Sequence, residues 1–400
     1  MKREKELIDR SGILPNEEQA KLLKACLHNS HESNEAFRDW LDLINIPLNS
    51  KIDLSSLGLP QLFDPLDLGS QRLLSLLYKK LKINHVQHPI VSKLEGYYKY
   101  VWCRNQILVA EFRKLAALLF DKEIKVVLRK GLYMTLMVYK DFGSRPTVDL
   151  DITVRKEDWL KTVLILKNHG WLSKYKMQPS KINISQAHGH TFIKGDFELD
   201  LHYDFVHYGL KEETIGQMWS DLVMEDEFNY LSKSNELYLT LIHGFKPNYI
   251  ISSIRWVVDC VLLFRQFNES DWNDFYQLIS RERKKSILIM LDYLRGNEFI
   301  TFPKSINEQM NRLENTQLDL MERTILTLHY KISGGFRYIC AACFISSSKS
   351  LRKSIKLLFN HYQYSSGKKS YLGVVFYAIM RVAEKLLNVN MKLRKLGSNF

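Results

Sequence analysis

Apolar residues recur at three- and four-residue steps over two long stretches of the chain and alternate with polar ones in the stretch between. From residue 1 to about 125 the period is helical. "NEEQAKLLKACL" carries its apolar positions one helical turn apart behind the capping candidate Asn16. "LPQLFDPLDLGS" reads as a connection punctuated by Pro and Gly. From Pro89 to Phe120 the spacing of Val91, Leu94, Tyr98, Val101, Ile107, Leu108, Phe112, Leu115 and Leu119 predicts one long amphipathic helix or two abutting ones. At "IKVVLRKG" the pattern becomes a short β-branched run ending in Gly131, a strand running into a turn. "LYMTLMVYKDFG" predicts a helix stopped at Gly143, and "PTVDLDITV" alternates as a second strand. "KEDWLKTVLILKNHG" predicts a helix ended by Gly170. "HTFIKGDFELDLHYDF" alternates again, with a hairpin turn at Gly195. Helical periodicity returns beyond about residue 226, in "NELYLTLIHGF" and "SIRWVVDCVLLFRQF". The expected organisation is a helical region over 1–125, a small α/β core over 126–225, a helical domain over 226–330 and a tail over 331–400.

Charge alters this picture at one end. The net charge of +13 is concentrated in residues 331–400, which hold 13 Lys and Arg against the single acid Glu384. Apolar positions in this tail step by three and four, from Val375 through Ile379, Val382 and Leu386, with Arg381 and Lys385 off the stripe. Basic amphipathic helices are expected there. They could dock on an anionic membrane surface, contact a nucleic-acid backbone, or simply pack on the protein with solvated lysines. The apolar fraction of 46% is that of a globular protein, and no apolar run reaches the roughly 18 residues of a membrane span. Five cysteines make no disulfide framework, and the charged N-terminus does not read as a signal peptide, so a cytoplasmic setting is expected.

The chemistry lies in "RPTVDLDITV". Residues two apart on a strand share a face, so Asp149 and Asp151 point one way while Leu150 and Ile152 point the other. "FELDLHYDF" repeats the arrangement with Glu198, Asp200 and His202. Two neighbouring strands of this kind bring carboxylates together, and carboxylates at close range repel unless a cation lies between them. Hard oxygen ligands suit Mg²⁺ or Mn²⁺, and such ions stabilise phosphoryl displacement. The alternative is a strand edge with solvated acids. Neither a Walker-type phosphate loop nor G-x-G-x-x-G is present.

Taken together, "VVLRKG", "YKDFGSRPTVDLDITV", "FELDLHYDF" and "IHGF…SIRWVVDCVLLF" resemble the bacterial nucleotidyltransferase-like family of the DNA polymerase β superfamily, over roughly residues 15 to 290. The resemblance implies an α+β fold, with a small mixed-sheet core flanked by N- and C-terminal helical regions. It implies metal-dependent transfer of a nucleoside monophosphate from an NTP, such as ATP, to a hydroxyl acceptor. Asp149, Asp151 and Asp200 would be the catalytic metal ligands. Lys130 and Gly131 stand where better-studied members have Gly-Ser, and with Arg145 and His202 they are the candidates for holding the nucleotide. That departure keeps open a catalytically inactive binding or scaffold protein with the same fold. Two further groups have structural readings. The histidines His188, His190, His202 and His207 lack a defined zinc pattern, and Cys340 and Cys343 read as buried helix residues. Asp259, on an apolar helix, needs a buried partner, for which His243 and Arg255 are candidates.

Overall fold

The computed structural model describes residues 13–44, 66–174, 189–205, 210–245, 254–282, 284–313, 315–319, 322–323, 370, 372–373 and 375–377. The expectations for the tail, and for His188, His207, Cys340 and Cys343, lie outside these residues, apart from a few tail positions.

Among the described residues five helices come first: α1 (Glu17–Leu27), α2 (Ser30–Ile44), α3 (Leu68–Gln71), α4 (Leu74–Ile83) and α5 (Ile90–Phe120). The Asn16 side chain caps α1 by accepting from the Gln19 amide at 2.8 Å, while the Gln19 side chain accepts from the Asn16 amide at 3.0 Å. This reciprocal box satisfies two donors that the first turn otherwise leaves unbonded. The stretch from Pro89 forms one continuous helix of 31 residues. Its stripe of Leu94, Val101, Leu108, Phe112, Leu115 and Leu119 is buried.

The core follows with β1 (Val127–Leu128), a one-turn α6 (Lys130–Tyr133) that continues as a π-helix over Met134–Tyr139, and β2 (Leu150–Thr153). Then come α7 (Trp159–Asn168), β3 (Leu172–Ser173), β4 (Gly189–Lys194) and β5 (Phe197–His202). After α8 (Glu212–Ser220) a second hairpin, β6 (Val223–Glu225) and β7 (Phe228–Tyr230), returns to the sheet. Among the described residues there follow α9 (Lys233–Gly244), α10 (Arg255–Phe264), α11 (Glu269–Glu282), α12 (Lys285–Gly296) and α13 (Lys304–Asn311).

The seven strands form one mixed sheet in the order β3-β4-β5-β2-β1-β7-β6. β2 runs parallel to β5 and antiparallel to β1, and β7 runs parallel to β1. Leu150, Ile152, Leu199 and Leu201 are fully buried on the apolar face of the β2–β5 pair. Each such side chain contributes roughly 1.5–3 kcal/mol through its burial, which fixes the strand register and hence the position of the acids between them.

Three local expectations change. The segment after β1 stops before Gly143: Lys140 takes the left-handed conformation at φ 50°, and Asp141 gathers the Gly143 amide at 2.9 Å and the Ser144 hydroxyl at 2.6 Å. Gly143 is required for another reason, because a Cβ there would collide with the ring of Tyr98. The sheet also extends through β7, and helix resumes only at Lys233. Three-residue strands are too short to show an alternating pattern. Finally, β2 begins at Leu150, so Asp149 stands in the bend leading into it. Gly170 and Gly195 take positive φ, of 82° and 55°, at the predicted helix end and hairpin turn.

Candidate active site

The register of β2 and β5 sets Asp151 beside Asp200, with Thr153 beside His202. Ligand atoms of Asp151, Asp200 and His202 lie within 4.8 Å of one another. Thr191, across the β4–β5 hairpin, donates its hydroxyl to Asp200 Oδ1 at 2.6 Å. His202 Nε2 lies 3.3 Å from Asp151 Oδ1, and the Lys130 ammonium also contacts that oxygen. Gly189 makes room for this histidine: a Cβ there would come within 2.5 Å of His202 Nδ1 and 2.7 Å of the Leu201 carbonyl oxygen.

These acids border a cavity of about 340 Å³ whose lining includes Lys130, Gly131, Asp149, Asp151 and His202. Asp200 does not line it but lies next to Asp151 and His202, which do. Burial, then repulsion from Asp151 and Asp200, pushes Asp149 up to about 7, with Lys130 and Arg255 opposing. Burial would raise Asp151 as well, but Lys130 and His202 override it and hold this carboxyl well below the usual range. Burial and the nearby Lys130 charge lower His202, favouring the neutral imidazole that can ligate a metal. The donor set of two or three carboxylates and an imidazole, with one acid resisting ionisation, fits a divalent cation. Asp149, Asp151, Asp200 and His202 are the side chains that could hold it.

The turn carrying Lys130 and Gly131 is held from two sides. Lys130 takes φ 47°, and its backbone amide bonds to the Glu236 carboxylate from α9. Arg129, next to it, pairs with Glu236 through Nε at 3.3 Å. Gly131 is packed so tightly that a Cβ would meet Thr147 Cγ2 at 2.9 Å and Arg145 Nη1 at 3.2 Å. Its carbonyl accepts from that same Nη1 at 3.2 Å.

Arg145 and Asp259 find partners other than those expected. Arg145 grips Asp259 on α10 with Nε to Oδ1 at 2.9 Å and Nη2 to Oδ2 at 2.8 Å, and does not pair with Asp149 or Asp151. Asp259 also accepts from the Tyr139 hydroxyl at 2.8 Å. Burial favours the neutral acid, but Arg145 overrides it and holds Asp259 below the usual carboxylate range. The guanidinium fork is engaged by Asp259 in this way, and Arg145 also lines the cavity. Among the histidines, His190 faces the Ser173 hydroxyl at 2.8 Å, and burial pushes it down to about 4.

The sequence missed Arg72 and Arg255, which line the same cavity. Arg255 opens an otherwise apolar helix, and that isolation was the one available signal. Arg72, at the junction of α3 and α4, gave none.

A mixed-sheet α+β core that sets paired strand carboxylates beside a cavity is the arrangement of a nucleotidyltransferase domain. The sequence profile of a family described as uncharacterised nucleotidyltransferase matches residues 68–294, more than half of the chain. The chain belongs to that family. The resemblance, the α+β class and the transferase class read from the sequence are thereby borne out. Among solved structures it is similar to the antibiotic-resistance factor ANT(2'')-Ia, at 12% identity and a TM-score of 0.33, over 44% of this chain and 94% of the other. It is also similar to JHP933 from Helicobacter pylori, at 13% identity and a TM-score of 0.28, over 62% and 98%. No curated protein matches. At such distances the functional argument rests on this chain's own residues. Among the described residues, no helix is long and apolar enough to cross a membrane.

Proposed function

We propose that this protein transfers a nucleoside monophosphate from an NTP to a hydroxyl acceptor, with Asp149, Asp151 and Asp200 as ligands of Mg²⁺ or Mn²⁺. The observation that carries the reading is the convergence of Asp151, Asp200 and His202 within 4.8 Å beside a cavity that Asp149 also lines. When bound, the divalent cation supplies charge neutralisation at the phosphates and acidifies the acceptor hydroxyl. Asp149 and Asp151 orient the donor, and Asp200, kept in place by Thr191, completes the ligand set next to Asp151. His202 steadies Asp151. Lys130 is within reach of the donor phosphates once its hold on Asp151 is exchanged for one on them. The acceptor hydroxyl yields its proton to a neighbouring carboxylate as its oxygen attacks the α-phosphorus, the bond to the β-phosphate oxygen breaks, and pyrophosphate leaves. Holding the reactants in line supplies much of the rate.

The second reading, a catalytically inactive binding or scaffold protein, draws support from the Lys130–Asp151 contact, which neutralises a proposed metal ligand from within the chain. A role for the basic segment 331–400 on nucleic acid or an anionic membrane surface would belong to either reading, as would a cytoplasmic location. Incubation with each α-labelled NTP, Mg²⁺ or Mn²⁺ and a panel of hydroxyl acceptors separates the two. Label transfer or pyrophosphate release that disappears in Asp149→Asn supports catalysis. Equal behaviour of wild type and Asp149→Asn under all conditions removes it.

A further inference from the structure

Four guanidiniums, those of Arg72, Arg129, Arg145 and Arg255, line the cavity beside the acids. Arg129 and Arg145 have carboxylates in contact, Glu236 for the first and both oxygens of Asp259 for the second. Arg255 donates Nη1 to the neutral Pro146 carbonyl at 2.8 Å and has no ion pair among the described residues. Arg72 Nε is buried without a hydrogen-bond partner among the described residues, and Arg72 likewise has no ion pair there. Clustered buried cations are costly unless an anion offsets them. The cost is visible at Arg255, where burial and then repulsion from Arg145 and Arg72 push the guanidinium down to about 9.

We propose that Arg72 and Arg255 form a phosphate-binding wall that grips the β- and γ-phosphates of the donor and then the departing pyrophosphate. The identification of the donor as a nucleoside triphosphate rests on the preceding reading; the anion site does not. A guanidinium presents paired N–H groups that match phosphate oxygens. Two of them on one wall, with Lys130 on the same cavity, suit a ligand bearing more than one phosphate. Arg145 links the wall to the Lys130–Gly131 turn through its bond to the Gly131 carbonyl. Asp149 lines the cavity as well and repels a bare anion, which favours a ligand reaching from the cation to the arginines. Arg72 comes from the helices before the core and Arg255 from those after it, so three segments of chain complete one donor site.

The test is calorimetric titration of the full-length protein with inorganic pyrophosphate in EDTA, which removes the metal contribution. Wild type binds pyrophosphate more tightly than orthophosphate. Arg72→Gln and Arg255→Gln each weaken pyrophosphate roughly tenfold, the loss of about one charge-assisted hydrogen bond. Asp151→Asn does not weaken it. ATP shows the same dependence on the arginines and AMP does not, because AMP lacks the β- and γ-phosphates. Should Arg255→Gln fail to fold through loss of its bond to Pro146, Arg72→Gln and Arg255→Lys carry the test. Unchanged pyrophosphate affinity in the arginine variants overturns the proposal, as does an equal loss for AMP and ATP. Arginine-dependent pyrophosphate binding without nucleotidyl transfer by wild type leaves the wall standing and removes the transferase reading. Transfer that is unaffected by either arginine does the reverse.

Discussion

Two regions of this molecule bury carboxylates, and they treat them in opposite ways. On α10, Asp259 is met by a bidentate guanidinium and a phenol hydroxyl, and its carboxyl lies below the ordinary range. Asp141 is similar: burial is overridden by Lys79, the Ser144 and Tyr98 hydroxyls and the Gly143 amide, and it falls to about 2. In the site, Asp149, in the bend before β2, is pushed up to about 7, while its neighbour Asp151 is held low by Lys130 and His202. A carboxylate that serves only structure is neutralised by its own chain. One left short of positive charge beside a cavity is suited to an incoming cation. By that measure Asp149 is the acid of the site that the chain leaves open, and Asp151 is the one that Lys130 would have to release.

The largest disturbance of the structural side is Arg145→Met. It leaves Asp259 buried without its guanidinium, and denaturant melts are expected to show a loss of about 3–5 kcal/mol. Adding Asp259→Leu to that variant recovers most of the loss. A single variant as stable as wild type would show that this pair is not the anchor of α10 on the core.

The site side predicts a pH signature of intermediate size. Asp149 has a folded pKa raised above its unfolded value, so the native state holds the extra proton and loses stability as pH rises from about 4 to 7. His190, pushed down to about 4, has the opposite sign over part of that window, so the comparison is with a variant that keeps it. In EDTA, Asp149→Asn is expected to gain on wild type progressively between pH 4 and 7, reaching about 2 kcal/mol after allowance for solvent at the cavity. Melting curves of both proteins across this range check it. A constant offset would mean that Asp149 is not held short of charge.

A stability effect of similar size comes from Gly189→Ala, on the β4 side of the acids. The added methyl group presses on His202 Nδ1 and on the Leu201 backbone, with an expected cost of about 1–3 kcal/mol. Because His202 steadies Asp151, nucleotidyl transfer should fall further than stability does. Equal losses would make His202 a packing residue only.

The period-two pattern of "VDLDITV" and "FELDLHY" was enough to bring Asp151, Asp200 and His202 onto one face, since alternation is a local property of strands. It did not reveal that β2 starts one residue after Asp149. The long helix over Ile90–Phe120 and the Gly195 hairpin were legible for the same local reason. The Arg145–Asp259 pair was not, because its members lie 114 residues apart and only tertiary packing selects between Arg145, Arg255 and His243. The β6–β7 hairpin escaped because its strands are three residues long. Arg72 escaped because a single arginine in a connection carries no periodic signature.

Binding of Mn²⁺ to the full-length protein at pH 8, followed by calorimetry in wild type and Asp151→Asn, bears most directly on the acid cluster. The account predicts saturable binding in wild type that weakens at least about tenfold when one ligand loses its charge. Indistinguishable isotherms, or no heat in either protein, would contradict it.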